Sequence, residues 1–148
     1  MIYGSMTRLS IQKISSMTKV FVNGTFDVVH YGHVKLLEFA RSFKDSVVFV
    51  MIDSDQRTKK LKGHGRPVNN QDYRKFFLES IRFVDRVEIF DSDDDLIEAI
   101  KNYSPDIMIK GSDYRNKDII GQQFCKKILF YERTQHSSTS IIQYSIDR

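Results

Sequence analysis

The chain has 148 residues, of which 41% are hydrophobic and 28% charged, a length and balance that suit one globular domain with a full core. A single cysteine excludes an internal disulfide, and no apolar run is long enough to span a membrane, so the expected compartment is reducing and cytoplasmic. The net charge of +4 is concentrated in TKKLKGHGR, Thr58 to Arg66, and a local basic cluster of this kind points to a bound anion.

Residues 1–18 are basic, free of acids and without a continuous apolar segment, and read as a mobile leader ahead of a domain over 19–148. From Lys19 onward, short runs rich in Val, Ile and Phe alternate with helical patterns, the mark of βαβ units around a parallel sheet. The first strand is expected at Lys19 to Gly24 and the second at Ser46 to Ile52, with Leu36, Leu37, Ala40 and Phe43 at helical spacing between them. Asp53 to Asn69 reads as a long irregular loop that carries the basic cluster, and such loops are often functional. Tyr73, Phe77 and Ile81 then form a core-facing stripe before a third strand at Arg86 to Phe90. Leu96, Ile97 and Ile100 do the same before a fourth at Asp106 to Gly111, and a fifth follows at Lys127 to Glu132.

In open α/β sheets, ligands bind beyond the carboxyl ends of the strands. NGTFDVVHYGHVKLLEFAR, Asn23 to Arg41, closes the first strand and opens the first helix there, so His30 and His33 belong to a turn whose free amides attract phosphate. Three readings of this pair compete. The histidines are ordinary polar residues at a helix start, or ligands of a metal, or hydrogen-bond donors to a phosphoryl group. A metal needs further ligands, and His64, Cys125 and His136 are scattered without ligand spacing. Gly32 between the pair lets a phosphate approach the backbone. Nucleic acid is not expected as a partner, because the basic loop has no aromatic stacking platform beside it.

Gly24-Thr25-Phe26-Asp27 followed by His30-Tyr31-Gly32-His33 resembles the GxFDxxHxGH signature of the cytidylyltransferase-like nucleotidyltransferases. The likeness continues through DSDQRTKKLKGHGRPVNNQDYR, MIKGSDY and ERTQHSSTSII, and so covers nearly everything from Lys19 onward. KKLKGHGRPV and KGSDY are most similar to the adenylyltransferase that makes ADP-heptose from heptose 1-phosphate, whereas RTQHSSTS resembles the RTxGISTT ending of glycerol-3-phosphate cytidylyltransferase. His136 and Ser137 depart from that ending.

The resemblance implies a Rossmann-like five-stranded parallel sheet of order 3-2-1-4-5 with helices on both faces. It also implies a reaction in which a phosphomonoester attacks the α-phosphorus of a nucleoside triphosphate and expels pyrophosphate. Such a nucleophile is already largely dianionic at neutral pH, so the chemistry needs alignment and charge neutralisation rather than a strong base. Roles follow by resemblance. His30 and His33 would contact the α-phosphate and its leaving oxygen, and Lys59 and Lys62 would hold the phosphates from above, while Lys60 faces water. Thr25 and Phe26 would offer backbone amides, and Thr25 its hydroxyl, to the triphosphate, with Gly24 permitting the turn and Asp27 ordering it or serving as a structural cap. Lys110, Gly111 and Asp113 would line the nucleotide pocket, a turn-capping role being the alternative for Asp113. Arg133 would belong to the nucleotide site, Ser138, Thr139 and Ser140 would cap a terminal helix and present amides to the β- and γ-phosphates, capping alone being the alternative, and Arg74 would grip the acceptor phosphate.

Mg²⁺ is expected with the triphosphate, which supplies most of its ligands, and no protein metal ligand is expected. The substrates implied are an NTP, ATP before CTP, and a phosphorylated sugar or alditol, in a homodimer as relatives commonly are. A nucleotide-binding sensor that has lost turnover is the alternative from another class.

Overall fold

A computed structural model describes residues 16–132. Five strands, β1 (Thr18–Gly24), β2 (Ser46–Asp53), β3 (Arg86–Phe90), β4 (Ile107–Gly111) and β5 (Lys127–Tyr131), pair in parallel in the order β3-β2-β1-β4-β5. The expected Rossmann-like order is therefore present. Alternate residues of the central strands feed two cores, as the twofold period of a strand requires. Val20, Val22, Val48, Val50 and Ile52 pack on one face with Leu37, Ala40 and Leu78. Phe21, Phe49, Met51 and Met108 pack on the other with Leu96, Ile100 and Ile119.

The covering helices are α1 (Tyr31–Arg41) and α3 (Gln71–Glu79) on the first face and α4 (Asp93–Tyr103) on the second. Side-chain caps start each of them. Asn70 accepts the Tyr73 amide to open α3, and Ser92 and Asp95 form a capping box at α4.

Two expectations are corrected. The stretch from Asp53 to Asn69 is not one irregular loop. Asp53 closes β2, Ser54 caps a two-turn helix α2 (Asp55–Lys62), and the loop proper begins at Gly63. Gly63 and Gly65 have φ near +90°, a conformation that ends the helix at no steric cost only for glycine. The second correction concerns α3. Tyr73 and Phe77 do not face the core but are 61% and 44% exposed, and the buried residues are Arg74 and Leu78, one position further on. The reason is polar. Arg74 reaches the carboxyl ends of β1 and β2 and turns the helix so that its guanidinium meets four acceptors.

Candidate active site

The strand ends nearest the centre of the sheet open into a cavity of about 540 Å³. A second groove of about 520 Å³ lies elsewhere, against β2, β3 and α4, and holds none of the residues singled out in the sequence. The first cavity is lined by the turn after β1 with His30 and His33, by Asp53 at the end of β2, by Arg57 and Lys62 of α2, and by Lys110 and Gly111 at the end of β4. This is where a doubly wound sheet leaves amides and side chains unblocked by the next element.

The histidines are held by the backbone. His30 caps α1, its Nδ1 accepting the Gly32 amide at 3.1 Å, while Nδ1 of His33 accepts the His30 amide at 3.3 Å. This is a capping box built from imidazoles where Ser and Glu are usual. The rings stack with centroids 3.8 Å apart at 24°, and Phe26 lies 4.9 Å from the ring of His33. A nitrogen that accepts a backbone N–H carries no proton itself, so each neutral ring has its hydrogen on Nε2. Both rings line the cavity, with Nε2–H as the donor that the caps leave them.

Residues 24–27 make the turn rigid. Phe26 is buried with φ +51°, an uncommon conformation for a bulky residue that surrounding packing must enforce. Gly24 is favoured by proximity rather than by its φ, since a Cβ there would lie 3.2 Å from the Phe26 ring, a tight contact from which the ring would have to shift slightly. Asp27 is 1% exposed and accepts the amides of Val68 and Asn69 and Nε of Arg66, all within 2.9 Å. Burial by itself would raise its pKa. The two amides and the Arg66 charge outweigh that and bring the pKa below the ordinary carboxylate value. Asp27 therefore ties the turn after β1 to the segment that follows the lysine-bearing helix.

Thr25 donates its hydroxyl to Asp53 at 2.8 Å, and Asp53 also accepts Nε of Arg57 at 2.8 Å. Arg57 reaches Asp93 at 2.7 Å as well, which joins the start of α4 to the same network. Lys110 enters from β4, donating to Oδ1 of Asn23 at 2.7 Å under the ring of Tyr114. Burial brings its pKa down to about 8, and the Asp53 charge offsets part of that effect.

The expected site residues thus divide. Gly24, Thr25, Phe26, Asp27, His30, His33, Lys62, Lys110 and Gly111 come together around the cavity. Lys59 and Asp113 are exposed and do not line it. Arg74 is fully buried, its guanidinium donating to the carbonyls of Asn69, Thr25 and Asp53 and to the Asp55 carboxylate. So placed, it holds the strand ends together and has no face toward an acceptor phosphate. Arg133, Ser138, Thr139 and Ser140 lie outside the described residues. Asp53, Arg57, Asn23 and Tyr114 were missed. Asp53 had a legible signal, as a charged residue closing a buried strand on the ligand edge, and Arg57 follows it at the i,i+4 spacing of an ion pair.

No helix among the described residues is long and apolar enough to cross a membrane, and no three potential metal ligands cluster among them.

Comparison with known proteins agrees with the geometry. Residues 21–143 match the family described as Cytidylyltransferase-like. The bifunctional protein HldE of Campylobacter fetus subsp. fetus is 41% identical over 128 residues, which is 86% of this chain and 28% of that protein. HldE of Aliarcobacter butzleri is 43% identical over 121 residues, 82% of this chain and 25% of that protein. The chain therefore spans about a quarter of the length of these relatives. Among solved structures, the lipopolysaccharide core biosynthesis protein of Thermoplasma volcanium GSS1 shares the fold, with a TM-score of 0.64 at 20% identity over 80% of this chain and 99% of that one. The histidine pair at the strand ends, the 3-2-1-4-5 sheet and the family match over most of the sequence lead to one conclusion: the chain belongs to the cytidylyltransferase-like family of nucleotidyltransferases.

Proposed function

We propose that the chain transfers an adenylyl group from ATP to a sugar 1-phosphate of the heptose type and releases pyrophosphate. The observation that carries this reading is the stacked, backbone-locked histidine pair facing a cavity that Lys62 and Lys110 also line. A phosphate oxygen of the acceptor attacks the α-phosphorus in line, a new P–O bond forms, and the bond to the bridging oxygen breaks with its electron pair leaving on pyrophosphate. The Nε2–H groups of His30 and His33 stabilise the charge that gathers on the α-phosphate and the bridging oxygen, and cost little reorganisation because their caps hold them in place. No general base is required, since the acceptor is ionised before it binds.

Lys62 supplies positive charge from α2, and Lys59, on the same helix but outside the cavity lining, has at most a long-range part. Arg74 and Asp27 act as positioning residues, through the carbonyls of β1 and β2 and through the Arg66–Asn69 segment. Asp27 is saturated by its donors and Asp53 already holds Thr25 and Arg57, so a magnesium ion would be held mainly by the triphosphate and would supply neutralisation of its charge. The enzyme works in the cytoplasm, as a homodimer.

The preference for ATP and a sugar rests on the similarity of KKLKGHGRPV and KGSDY to the heptose adenylyltransferase. RTQHSSTS favours a second reading, CTP with glycerol 3-phosphate. Pyrophosphate release should be measured with Mg²⁺, crossing the four ribonucleoside triphosphates with heptose 1-phosphates, other sugar 1-phosphates and glycerol 3-phosphate. Release confined to ATP with a sugar 1-phosphate is the expected result. Release with CTP and glycerol 3-phosphate would replace it by the second reading, and nucleotide binding without any release would leave a sensor.

A further inference from the structure

Lys110 is the penultimate residue of β4, and its side chain enters the cavity from the carboxyl edge of the sheet. An ammonium carries three N–H donors, and among the described residues the hydrogen-bond acceptor that Lys110 has is Oδ1 of Asn23, a neutral group. Tyr114 covers it from above, its ring centroid 5.1 Å away. Asp53 at the end of β2 is the carboxylate that acts on Lys110, and its two oxygens already accept from Thr25 and Arg57. The other titratable groups that line the same cavity are Asp27, His30 and His33 from the turn and start of α1, Arg57 and Lys62 from α2, Asp118 and Tyr131. This largely buried ammonium, with one neutral acceptor among the described residues, is incompletely satisfied as it stands, and a polyanion in the cavity would satisfy it.

We propose that Lys110 is a phosphate ligand of the nucleotide site and that it takes a proton from solvent as the triphosphate docks. The inference rests on the reading that the cavity receives a nucleoside triphosphate. Burial keeps a sizeable fraction of the amine neutral near pH 8, and anionic oxygens placed against the two remaining donors return it to the charged form. A lysine suits this coupling because its pKa moves readily on burial, whereas an arginine stays charged.

The test is calorimetric titration of the full chain with Mg²⁺ and a non-hydrolysable ATP analogue at pH 8.5, in buffers of low and high ionisation enthalpy. The phosphates themselves are fully ionised at that pH. The expected result is a buffer-dependent heat that corresponds to uptake of about 0.7 proton per nucleotide, from a group whose pKa rises from about 8 on binding. Lys110→Met should bind at least tenfold more weakly with no uptake, and Lys110→Arg should bind with no uptake. Heats independent of buffer in the wild-type chain, with binding intact, would overturn the proposal and leave the nucleotide reading standing. Uptake that persists in both variants would also overturn it. A folded wild-type chain that binds no nucleotide would overturn both.

Discussion

The turn after β1 and the end of β4 face the same cavity and are built on opposite terms. In the turn, the side chains that shape the backbone are committed to protein. The Nδ1 atoms of His30 and His33 cap α1, the Asp27 carboxylate takes two amides and Arg66, and the Thr25 carbonyl takes Arg74. At the end of β4, a buried ammonium rests on one side-chain amide. The first region is preorganised and, on the proposed function, would stabilise a transition state without moving, while the second holds an imbalance that a bound polyanion would relieve. On the proposed function, catalytic geometry and ligand-dependent charge would fall to different strands of one sheet.

The sharpest way to break this contrast is to remove what holds the turn. Asp27→Ala leaves Arg66 and two amides without their acceptor, and Arg74→Met leaves three carbonyls and Asp55 unpaired. Each should lower unfolding stability by about 3–5 kcal/mol in urea titrations. A loss under 1 kcal/mol for both would mean that these bonds do not hold the turn. For Asp27 the pKa is depressed in the folded state, so its contribution is complete above the unfolded carboxylate value and is lost as pH falls below it toward the folded one. The acid limb of the stability profile should therefore flatten in Asp27→Ala.

Next in size are the histidines. His33→Ala should slow pyrophosphate release at least a hundredfold, about 2.7 kcal/mol of transition-state stabilisation, while nucleotide binding stays measurable. His30→Asn separates the two duties of His30, because asparagine is among the best N-caps but has no imidazole. Its melting temperature should stay within a few degrees of wild type while turnover falls. Equal turnover would reduce His30 to a cap.

Lys110 should respond in the opposite sense. With a folded pKa near 8 against 10.5 in the unfolded chain, the unfolded state binds more protons between those values, so stability rises with pH across that window and the penalty is fully present below pH 8. Lys110→Met removes the penalty and should raise stability at pH 7 by about 1–3 kcal/mol, even as nucleotide affinity drops. A variant less stable than wild type at pH 7 would show that the ammonium is well solvated or paired. The smallest effect belongs to Lys59→Ala, which should change turnover less than twofold in kinetics where Lys62→Ala raises the nucleotide KM severalfold.

Much of this architecture was written locally. Five Val-, Ile- and Phe-rich runs at helical separation specify a parallel sheet because its central strands are buried on both faces, and His30, Gly32 and His33 fall on a strand-to-helix turn by chain order alone. The helix from Asp55 to Lys62 was less legible, because one apolar side chain, Leu61, leaves it no hydrophobic stripe; what starts it is the Ser54 cap. On α3, Tyr73 with Phe77 and Arg74 with Leu78 are both i,i+4 pairs, about 100° apart around the same helix. Hydrophobicity favours the first pair as the buried one.

What decides for the second is a set of acceptors supplied by residues distant in the chain, the carbonyls of Thr25 and Asp53 at the ends of adjacent strands, which exist as a pair only once β1 and β2 are side by side. The sequence by itself thus determined the five strands, their succession along the chain and the histidine pair, since those depend on local periodicity and caps. Which charges are spent on structure and which are turned to the cavity was decided by tertiary contact, because a buried guanidinium or ammonium takes its role from the acceptors that folding brings to it.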